Sequence, residues 1–262
     1  MQRVITAIAL IPVALYLVFF APNKLFFAAA VAMSLLCYWE YSGLVAAYGI
    51  RRPGLLGVFS GLVILFRPTY TLLGVTLFVA VALVLFLKKV DLRQILPQVA
   101  CALFGAFYTF APWRFSVDLR KISVHLLFFA LAVNWLGDTA AYYAGRAIGR
   151  HPMAPVISPK KTWEGAAASV FVSVVAGVLY LGHFIRDLPY WEIVLMAVLA
   201  NIAGQFGDLV ESAIKRGAGV KDSGHLLPGH GGMLDRVDSS LFSLPFVFGV
   251  YLFCDFFRQF GV

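Results

Sequence analysis

The stretch Trp191–Lys215, WEIVLMAVLANIAGQFGDLVESAIK, decides the fold class. Its first half is almost continuously apolar, and the whole run is long enough for a transmembrane helix, which needs about 20 mainly apolar residues. The composition agrees, because 61% of the 262 residues are hydrophobic and only 13% are charged. The residues of soluble domains are roughly half apolar and a quarter charged. The sequence therefore predicts a polytopic membrane protein.

Apolar runs separated by charged residues, Pro or Gly predict about nine transmembrane helices. The runs are Val4–Phe20, Leu25–Ala47, Leu55–Phe66, Tyr70–Leu87, Ile95–Pro112, Ile122–Gly145, Ala166–Phe184, Trp191–Lys215 and Ser240–Phe257. None alternates with the two-residue period of a strand. The first run resembles a signal peptide, but no small-residue cleavage site follows it, and we expect it to remain as an anchor. The predicted fold class is all-α, a polytopic transmembrane helical bundle.

The basic residues predict the orientation of these helices. With the N terminus in the cytoplasm, most of the 21 Lys and Arg residues fall on the cytoplasmic side, as the positive-inside rule requires. The polar loops 146–165 and 216–239 then face the cytoplasm as well. The formal net charge of +8 indicates an anionic lipid or substrate rather than a nucleic acid. We therefore expect an integral membrane protein whose two polar loops face the cytoplasm.

The acidic residues distinguish two regions of the chain. Residues 1–130 hold few of the 13 Asp and Glu residues, and most of the others lie between 131 and 238. We therefore interpret residues 1–130 as N-terminal transmembrane scaffold helices and residues 131–262 as the C-terminal catalytic transmembrane region. The three cysteines lie singly in apolar runs, which argues against a disulfide framework or a cysteine-based metal site.

Four polar residues share one face of a predicted helix. Asp208, Glu211, Ser212 and Lys215 are spaced at i, i+3, i+4 and i+7. A carboxylate within the bilayer is unfavourable and normally faces a bundle interior or a polar cavity. One interpretation is a helix end that reaches the membrane interface, with Glu211 and Lys215 as an ion pair. We favour the other interpretation, in which the four residues form the wall of a functional site.

The glycine-rich segment Gly217–Asp238, GAGVKDSGHLLPGHGGMLDRVD, predicts a loop whose backbone approaches a ligand closely. Its exposed N–H groups can bind phosphate, and its acids offer the hard oxygen ligands that Mg²⁺ prefers. The cations that suit a polyphosphate are Lys215, Arg216, Lys221 and Arg236, and the acids are Asp222, Asp235 and Asp238. A solvated flexible loop is the alternative. His225 and His230 are candidates for a base, or for phosphate contacts.

Two further segments precede this loop. In Ser158–Gly165, SPKKTWEG, a turn at Pro159 and the adjacent lysines Lys160 and Lys161 lead into an apolar run. This segment is either an anion-binding turn at a helix N terminus or a cytoplasmic anchor. In NWLGDTAAYYAGRAIG, which begins at residue 134, Asp138 is the acid in an otherwise apolar run. Together the four segments indicate metal-dependent chemistry on a phosphate compound, with a nucleotide as the obvious candidate.

The segment Ser212–Asp238 resembles the motif of phosphatidate cytidylyltransferases, also called CDP-diacylglycerol synthases. The matching positions are Ser212, Lys215, Arg216, Lys221, Asp222, Pro228, His230, Gly231, Gly232, Asp235, Arg236 and Asp238. The stretches GDLVES, SPKKTWEG and GDTAAYYAGR also resemble the family, so the likeness covers about residues 134–240. The first 130 residues match only in being apolar and helical.

The resemblance implies a specific reaction. CTP and phosphatidate would give CDP-diacylglycerol and pyrophosphate, through in-line attack of the phosphatidate phosphate on the α-phosphorus of CTP. It also implies a Mg²⁺-dependent nucleotidyltransferase of phospholipid biosynthesis, with the number of metal ions left open, that forms a homodimer. Because the attacking phosphate is already ionised, positioning and electrostatics should dominate catalysis.

The resemblance and the residue chemistry together predict the site residues. The predicted catalytic residues are Asp208, Lys221, Asp222, Asp235 and Asp238. The predicted metal ligands are Asp208, Asp235, Asp238 and Asp222. The predicted substrate-binding residues are Ser158, Lys160, Lys161, Thr162, Glu164, Asp138, Ser212, Lys215, Arg216, His230, Gly231, Gly232 and Arg236.

Other classes of protein remain as alternatives. A polyprenol kinase or an archaeal-type CDP-lipid synthase also uses CTP, but should lack the full KD–PGHGG–DRVD run. A CDP-alcohol phosphotransferase would show a DGxxAR run, which is absent. A transporter predicts two repeated halves with broken helices, and the uneven distribution of acids argues against that class.

Overall fold

The computed structural model describes residues 2–66, 76–77, 80, 92–227, 229 and 231–259. Within them the chain is almost entirely helical. The helices are α1 (Gln2–Phe19), α2 (Asn23–Ala47), α3 (Gly54–Phe66), α4 (Ile95–Ile122), α5 (Val124–Ile148), α6 (Trp163–Phe184), α7 (Tyr190–Gly217) and α8 (Leu234–Gln259). A 3-10 turn at Leu92–Gln94 precedes α4, and strands β1 (Pro152–Ala154) and β2 (Ser158–Thr162) lie between α5 and α6.

The lengths and the composition of these helices confirm the predicted all-α membrane fold. Among the described residues, six helices, α2 and α4 to α8, are long and apolar enough to cross a membrane. Two shorter apolar helical segments are Leu10–Phe19, which is the second part of α1, and Gly54–Phe66, which is α3. The predicted span Tyr70–Leu87 lies largely outside the described residues, so the number of nine stays a prediction.

Two helix boundaries differ most from the sequence prediction. Helix α4 continues through Pro112, the predicted end, as far as Ile122. Proline removes one helical hydrogen bond, but Phe110 and Leu119 on either side of it are fully buried, and their packing outweighs the loss. Helix α8 begins at Leu234 rather than Ser240, so its first turns include the motif residues that follow Met233.

The chain divides into two compact units, the first formed by Met1–Val117 and Ile214–Arg236, the second by Asp118–Ala213 and Val237–Val262. Aromatic side chains form the core of the first unit. Tyr38 and Phe110 pack with ring centroids 5.9 Å apart, and a Cβ at Gly61 would overlap the Phe110 ring. The helices therefore pack closely where glycine faces an aromatic ring. The predicted functional boundary at residue 130 stays a prediction.

A buried polar network forms the core of the second unit. The Asn201 side-chain amide donates to the hydroxyl oxygens of Ser169 and Ser173, both at 2.9 Å. Gln205 Nε2 donates to Asn201 Oδ1 at 2.7 Å, and Ser173 Oγ donates to the Val133 carbonyl at 3.0 Å. Small residues and interhelical hydrogen bonds of this kind hold helices together in lipid. The network holds Gln205 in place, and with it the turn of α7 that carries Asp208.

Candidate active site

A β-hairpin replaces the turn that was predicted around Pro159. Strands β1 and β2 are antiparallel, with Pro152 opposite Thr162 and Ala154 opposite Ser158. Proline is accepted in an edge strand, because its missing N–H group can point away from the partner. In a hairpin each strand has one partner, and Pro159 can therefore lie within β2. The hairpin presents the adjacent lysines just before α6 begins.

Contacts at the start of α6 hold the hairpin in place. The Thr162 hydroxyl accepts a hydrogen bond from the Gly165 N–H at 3.2 Å, which is an N-cap. The Trp163 N–H donates to the His151 carbonyl at 3.0 Å. Glu164 contacts the His151 ring nitrogen Nδ1 at 2.6 Å and accepts from the His151 N–H at 3.3 Å. Glu164 was predicted to bind substrate, and in this structure its carboxylate ties the hairpin to α6.

A cavity of about 370 Å³ opens between the hairpin and helices α5, α6 and α7 of the second unit. We name it the hairpin cavity, and it is lined by Asp138, Ala141, Tyr142, Met153, Lys160, Lys161, Thr162, Gly165, Ala166, Gln205 and Asp208. Five of the predicted site residues therefore lie on one surface, although Asp138 and Asp208 are separated by 70 positions in the chain. The structure brings these predicted residues together.

The charged groups of the hairpin cavity are partly exposed. Lys161 Nζ lies 2.8 Å from Asp208 Oδ2 and 3.5 Å from the Gln205 carbonyl oxygen. The Ser212 hydroxyl donates to Asp208 Oδ1 at 3.1 Å, which orients the carboxylate from the other side. Lys160 and Asp138 complete the charged lining. Two ammonium groups beside two carboxylates can bind a phosphate compound together with a divalent cation.

Besides Glu164 and Ser212, two predicted residues of the second unit lie outside this lining. Ser158 pairs with Ala154 at the far end of the hairpin. Asp238 lies in the second turn of α8, where its Oδ1 accepts from the Ser239 N–H at 2.7 Å. A Cβ at Gly207 would lie 2.6 Å from the Asp238 carbonyl oxygen, so α7 and α8 approach closely at this point.

The first unit contains a second group of predicted residues, centred on Asp235. Lys215 Nζ donates to Asp235 Oδ1 at 2.5 Å. Asp235 Oδ2 accepts from the Ser223 N–H at 2.9 Å, from the Ser223 hydroxyl at 3.0 Å and from the Gly232 N–H at 2.8 Å. These groups satisfy most of the acceptor capacity of the carboxylate, which leaves little room for a metal ion at Asp235.

Glu40 completes this group, although the sequence interpretation assigned no role to it. Glu40 Oε1 accepts from the Met233 N–H, and Oε2 accepts from the Leu234 N–H, both at 2.8 Å. The Ser223 hydroxyl lies 2.9 Å from Oε2. We name Glu40, Lys215, Ser223, Asp235 and the backbone of residues 232–234 the Glu40 cluster. The available signal was an acid in the otherwise apolar run of α2, because such an acid usually has a specific partner.

The structure also describes most of the other motif residues of the first unit. Arg216 Nη1 donates to the Val220 carbonyl at 3.0 Å, and Lys221, Asp222 and Arg236 are exposed. Gly231 has a φ of +82°, which favours glycine, and a Cβ there would lie 2.7 Å from Asp235 Oδ2. His230 lies outside the described residues. The roles predicted for these residues stay predictions.

The donor set decides where a magnesium ion fits. No group of three or more His, Cys, Asp or Glu residues suited to a metal ion occurs in the part of the chain that the structure describes. Mg²⁺ does not need such a group, because it is commonly held by one or two carboxylates, substrate phosphates and water. Asp138 and Asp208, which both line the hairpin cavity, fit that mode of binding.

Comparison with known proteins identifies relatives over nearly the whole chain. Residues 1–254 match the model of the Cytidylyltransferase family. Phosphatidate cytidylyltransferase of Bacillus subtilis (strain 168) is 31% identical over 259 residues, which cover 94% of this chain and 96% of that protein. The protein of the same name from Staphylococcus haemolyticus is 42% identical over 146 residues, and the one from Staphylococcus aureus (strain COL) is 40% identical. These two alignments cover 56% of this chain and 56% of each relative.

Proposed function

Because the chain belongs to the Cytidylyltransferase family, we propose that it is an integral membrane enzyme that makes CDP-diacylglycerol and pyrophosphate from CTP and phosphatidate. The name of the Bacillus relative, which aligns along nearly its whole length, supports these substrates. The structural observation that carries the proposal is the hairpin cavity, where Lys160 and Lys161 lie with Asp138 and Asp208.

The reaction joins two anions. A phosphate oxygen of phosphatidate attacks the α-phosphorus of CTP, the new P–O bond forms, and the bond to the leaving pyrophosphate breaks. The attacking oxygen is already ionised near neutral pH, so no strong base is needed, and the enzyme must instead bring like charges together. The ammonium groups of Lys160 and Lys161 are placed to bind phosphate oxygens in the cavity.

The carboxylates of the cavity are suited to a magnesium ion. Asp138 and Asp208 would hold it, and Asp222, Asp235 and Asp238 are the other candidates, so both one ion and two ions are compatible with the donor set. A bound Mg²⁺ would neutralise charge on the phosphate oxygens. Asp208 is oriented for this role by the Ser212 hydroxyl on one oxygen and by Lys161 on the other.

The substrates determine which side of the membrane the site faces. CTP is a cytoplasmic metabolite, so loops 146–165 and 216–239 face the cytoplasm, and the enzyme lies in the bacterial inner membrane. Phosphatidate reaches the site from within the bilayer. The family resemblance supports a homodimer, and light scattering of the detergent-solubilised protein, corrected for bound detergent, should give the mass of two chains rather than one.

The activity is tested with the purified protein, labelled CTP, phosphatidate and Mg²⁺. CDP-lipid and pyrophosphate should form in equal amounts, and chelation of the metal should stop the reaction. Lys161→Met should reduce the rate strongly, whereas Lys121→Met, at an exposed lysine beside Asp118, should leave it unchanged. Release of phosphate from CTP without any CDP-lipid would exclude the proposed reaction.

The orientation is tested by cysteine labelling in a variant that lacks Cys37, Cys101 and Cys254. A cysteine at Leu226, which is 43% exposed in the glycine-rich loop, should react with an impermeant thiol reagent only in inside-out vesicles. A cysteine at the exposed Asp187, between α6 and α7, should react only in intact cells with a permeable outer layer. Labelling of both positions from one side would contradict the proposed topology.

A further inference from the structure

The glycine-rich loop is held by a residue from the opposite end of the chain. Glu40 lies in α2, and its partners Met233 and Leu234 lie at the start of α8. Two backbone N–H groups donate to Glu40 at 2.8 Å, and the Ser223 hydroxyl lies 2.9 Å from Oε2. The two N–H groups belong to the start of a helix, where a negative charge is favourable. The carboxylate therefore acts as a helix cap that is supplied from elsewhere in the chain.

Burial shows that this arrangement is more than packing. Glu40 is only 2% exposed, and a buried carboxylate is strongly unfavourable unless donors surround it. The loop backbone also comes close enough to exclude side chains, because a Cβ at Gly224 would lie 2.8 Å from Glu40 Oε1, and a Cβ at Gly232 would overlap Oε2. An apolar side chain could fill the same space but could not accept these hydrogen bonds. The carboxylate therefore fixes the positions of the N–H groups that it binds.

Two short routes connect Glu40 to the ion pair between Lys215 and Asp235. The first runs through the Ser223 hydroxyl, which lies within hydrogen-bond distance of both Glu40 and Asp235. The second runs through the backbone, because Glu40 binds the N–H groups immediately before Asp235 in the chain. Asp235 in turn holds Lys215. Loss of the Glu40 carboxylate would therefore release the segment that sets the direction of both charged side chains.

We propose that Glu40 is a positioning residue for the cytidylyltransferase reaction. By holding Ser223 and the backbone N–H groups of residues 233 and 234, it sets the orientation of Lys215 and Asp235. This inference rests on the proposed function, because it assigns these two motif residues to the reaction. Glu40 itself does not touch the substrate. It determines how often the loop adopts the arrangement in which turnover proceeds.

Kinetics of Glu40→Gln provide the first test. A glutamine side chain keeps the shape but replaces one acceptor oxygen by a donor, so a backbone N–H group or the Ser223 hydroxyl loses its acceptor. We expect kcat per folded molecule to fall by about 10- to 100-fold, the factor for one hydrogen bond to a charged group, with KM for CTP little changed. Glu40→Asp, which keeps the carboxylate on a shorter side chain, should recover part of the lost kcat.

A matched control separates this role from a general effect of altering a buried acid. Glu192→Gln makes the same substitution at a glutamate that is also fully buried, at the start of α7 and near Arg258. This variant should keep the wild-type kcat per folded molecule. Equal losses of kcat in both variants, or an unchanged kcat in folded Glu40→Gln, would overturn the proposal.

A spectroscopic measurement tests the loop without relying on activity. A nitroxide attached to a cysteine at Leu226, in the variant without native cysteines, should show restricted motion, and Glu40→Gln should make it distinctly more mobile. Glu192→Gln should not. An unchanged spectrum in Glu40→Gln would overturn the positioning role. If the wild-type protein made no CDP-diacylglycerol but the label still became mobile, the proposed function would fail while the structural role of Glu40 held.

Discussion

The hairpin cavity and the Glu40 cluster each contain a Lys–Asp pair, in different surroundings. In the hairpin cavity the side chains of Lys161 and Asp208 are 26% and 31% exposed. In the Glu40 cluster those of Lys215 and Asp235 are 10% and 5% exposed, and Asp235 is fully engaged by donors. An exposed pair can exchange partners with a substrate at little cost, whereas a buried one holds its surroundings in place. We therefore expect the first pair to contact the substrates, and the second pair to hold the loop in the arrangement that the reaction requires.

The largest effect on activity should come from Asp208 in the hairpin cavity. Asp208→Asn keeps the shape but removes the charge that is expected to hold Mg²⁺, so kcat should fall by at least about 100-fold. The thermal midpoint should change little, because the carboxylate is partly exposed. Asp118→Asn, at a partly exposed acid beside Lys121, is the control and should retain full activity. An active Asp208→Asn enzyme at saturating Mg²⁺ would remove this residue from the site.

In the Glu40 cluster, stability and activity should fall together. Asp235→Asn removes the carboxylate that pairs with the buried Lys215 ammonium, and breaking such a pair lowers the free energy of unfolding by about 3–5 kcal/mol. Chemical denaturation in mild detergent measures this loss. The double variant Lys215→Met with Asp235→Leu should recover much of the stability but none of the activity. Recovery of both would show that the pair serves only the fold.

A smaller loss of stability is expected when an added methyl group displaces the loop from Glu40. In Gly232→Ala the new methyl group overlaps Ser223 Oγ and Glu40 Oε2, and overpacking of this kind typically costs about 1–3 kcal/mol. Gly249→Ala in α8 is the matched control, because nothing lies within 4 Å of its Cβ position. Thermal unfolding should separate the two variants. Equal midpoints would mean that the loop can move aside freely.

The smallest effect should come from the helix cap that supports the hairpin. Thr162→Ala removes the acceptor for the Gly165 N–H, and loss of an N-cap costs about 1 kcal/mol. Because Thr162 also lines the cavity, KM for CTP should rise slightly while kcat stays near the wild-type value. Thr139→Ala, at an exposed threonine inside α5, should leave both constants unchanged. A large loss of kcat in Thr162→Ala would place the hydroxyl among the reacting groups.

Much of the hairpin cavity could be predicted from the sequence, because its signals are local. The adjacent lysines, the Thr162 cap and Asp208 in an apolar helix each stand out against their neighbours, and the all-α membrane fold follows from composition. The hairpin itself was missed, since proline near lysines is typical of a turn. The end of α4 was placed at Pro112 for a similar reason, because the sequence alone does not reveal the tertiary packing that carries a helix through a proline.

The Glu40 cluster could be predicted only in part, because its key contact is not local. The motif residues Lys215 and Asp235 were identified, but their pairing depends on the close approach of backbone at Gly232. Glu40 looked like an isolated acid within an apolar run, and its partners follow nearly two hundred positions later. A sequence pattern shows that a side chain is unusual in its surroundings. It does not show which distant N–H group that side chain will bind.

The 194 positions between Glu40 and Leu234 also set an order of events during biosynthesis. The acceptor carboxylate is synthesised, and α2 can enter the membrane, long before the ribosome reaches the residues that it binds. Contacts of such long sequence separation form late, after the local helices and hairpins. The hairpin that carries Lys160 can assemble on the nascent chain, whereas the loop must wait for α8. A chain interrupted before Met233 would therefore leave the buried acid of α2 without the backbone groups that satisfy it.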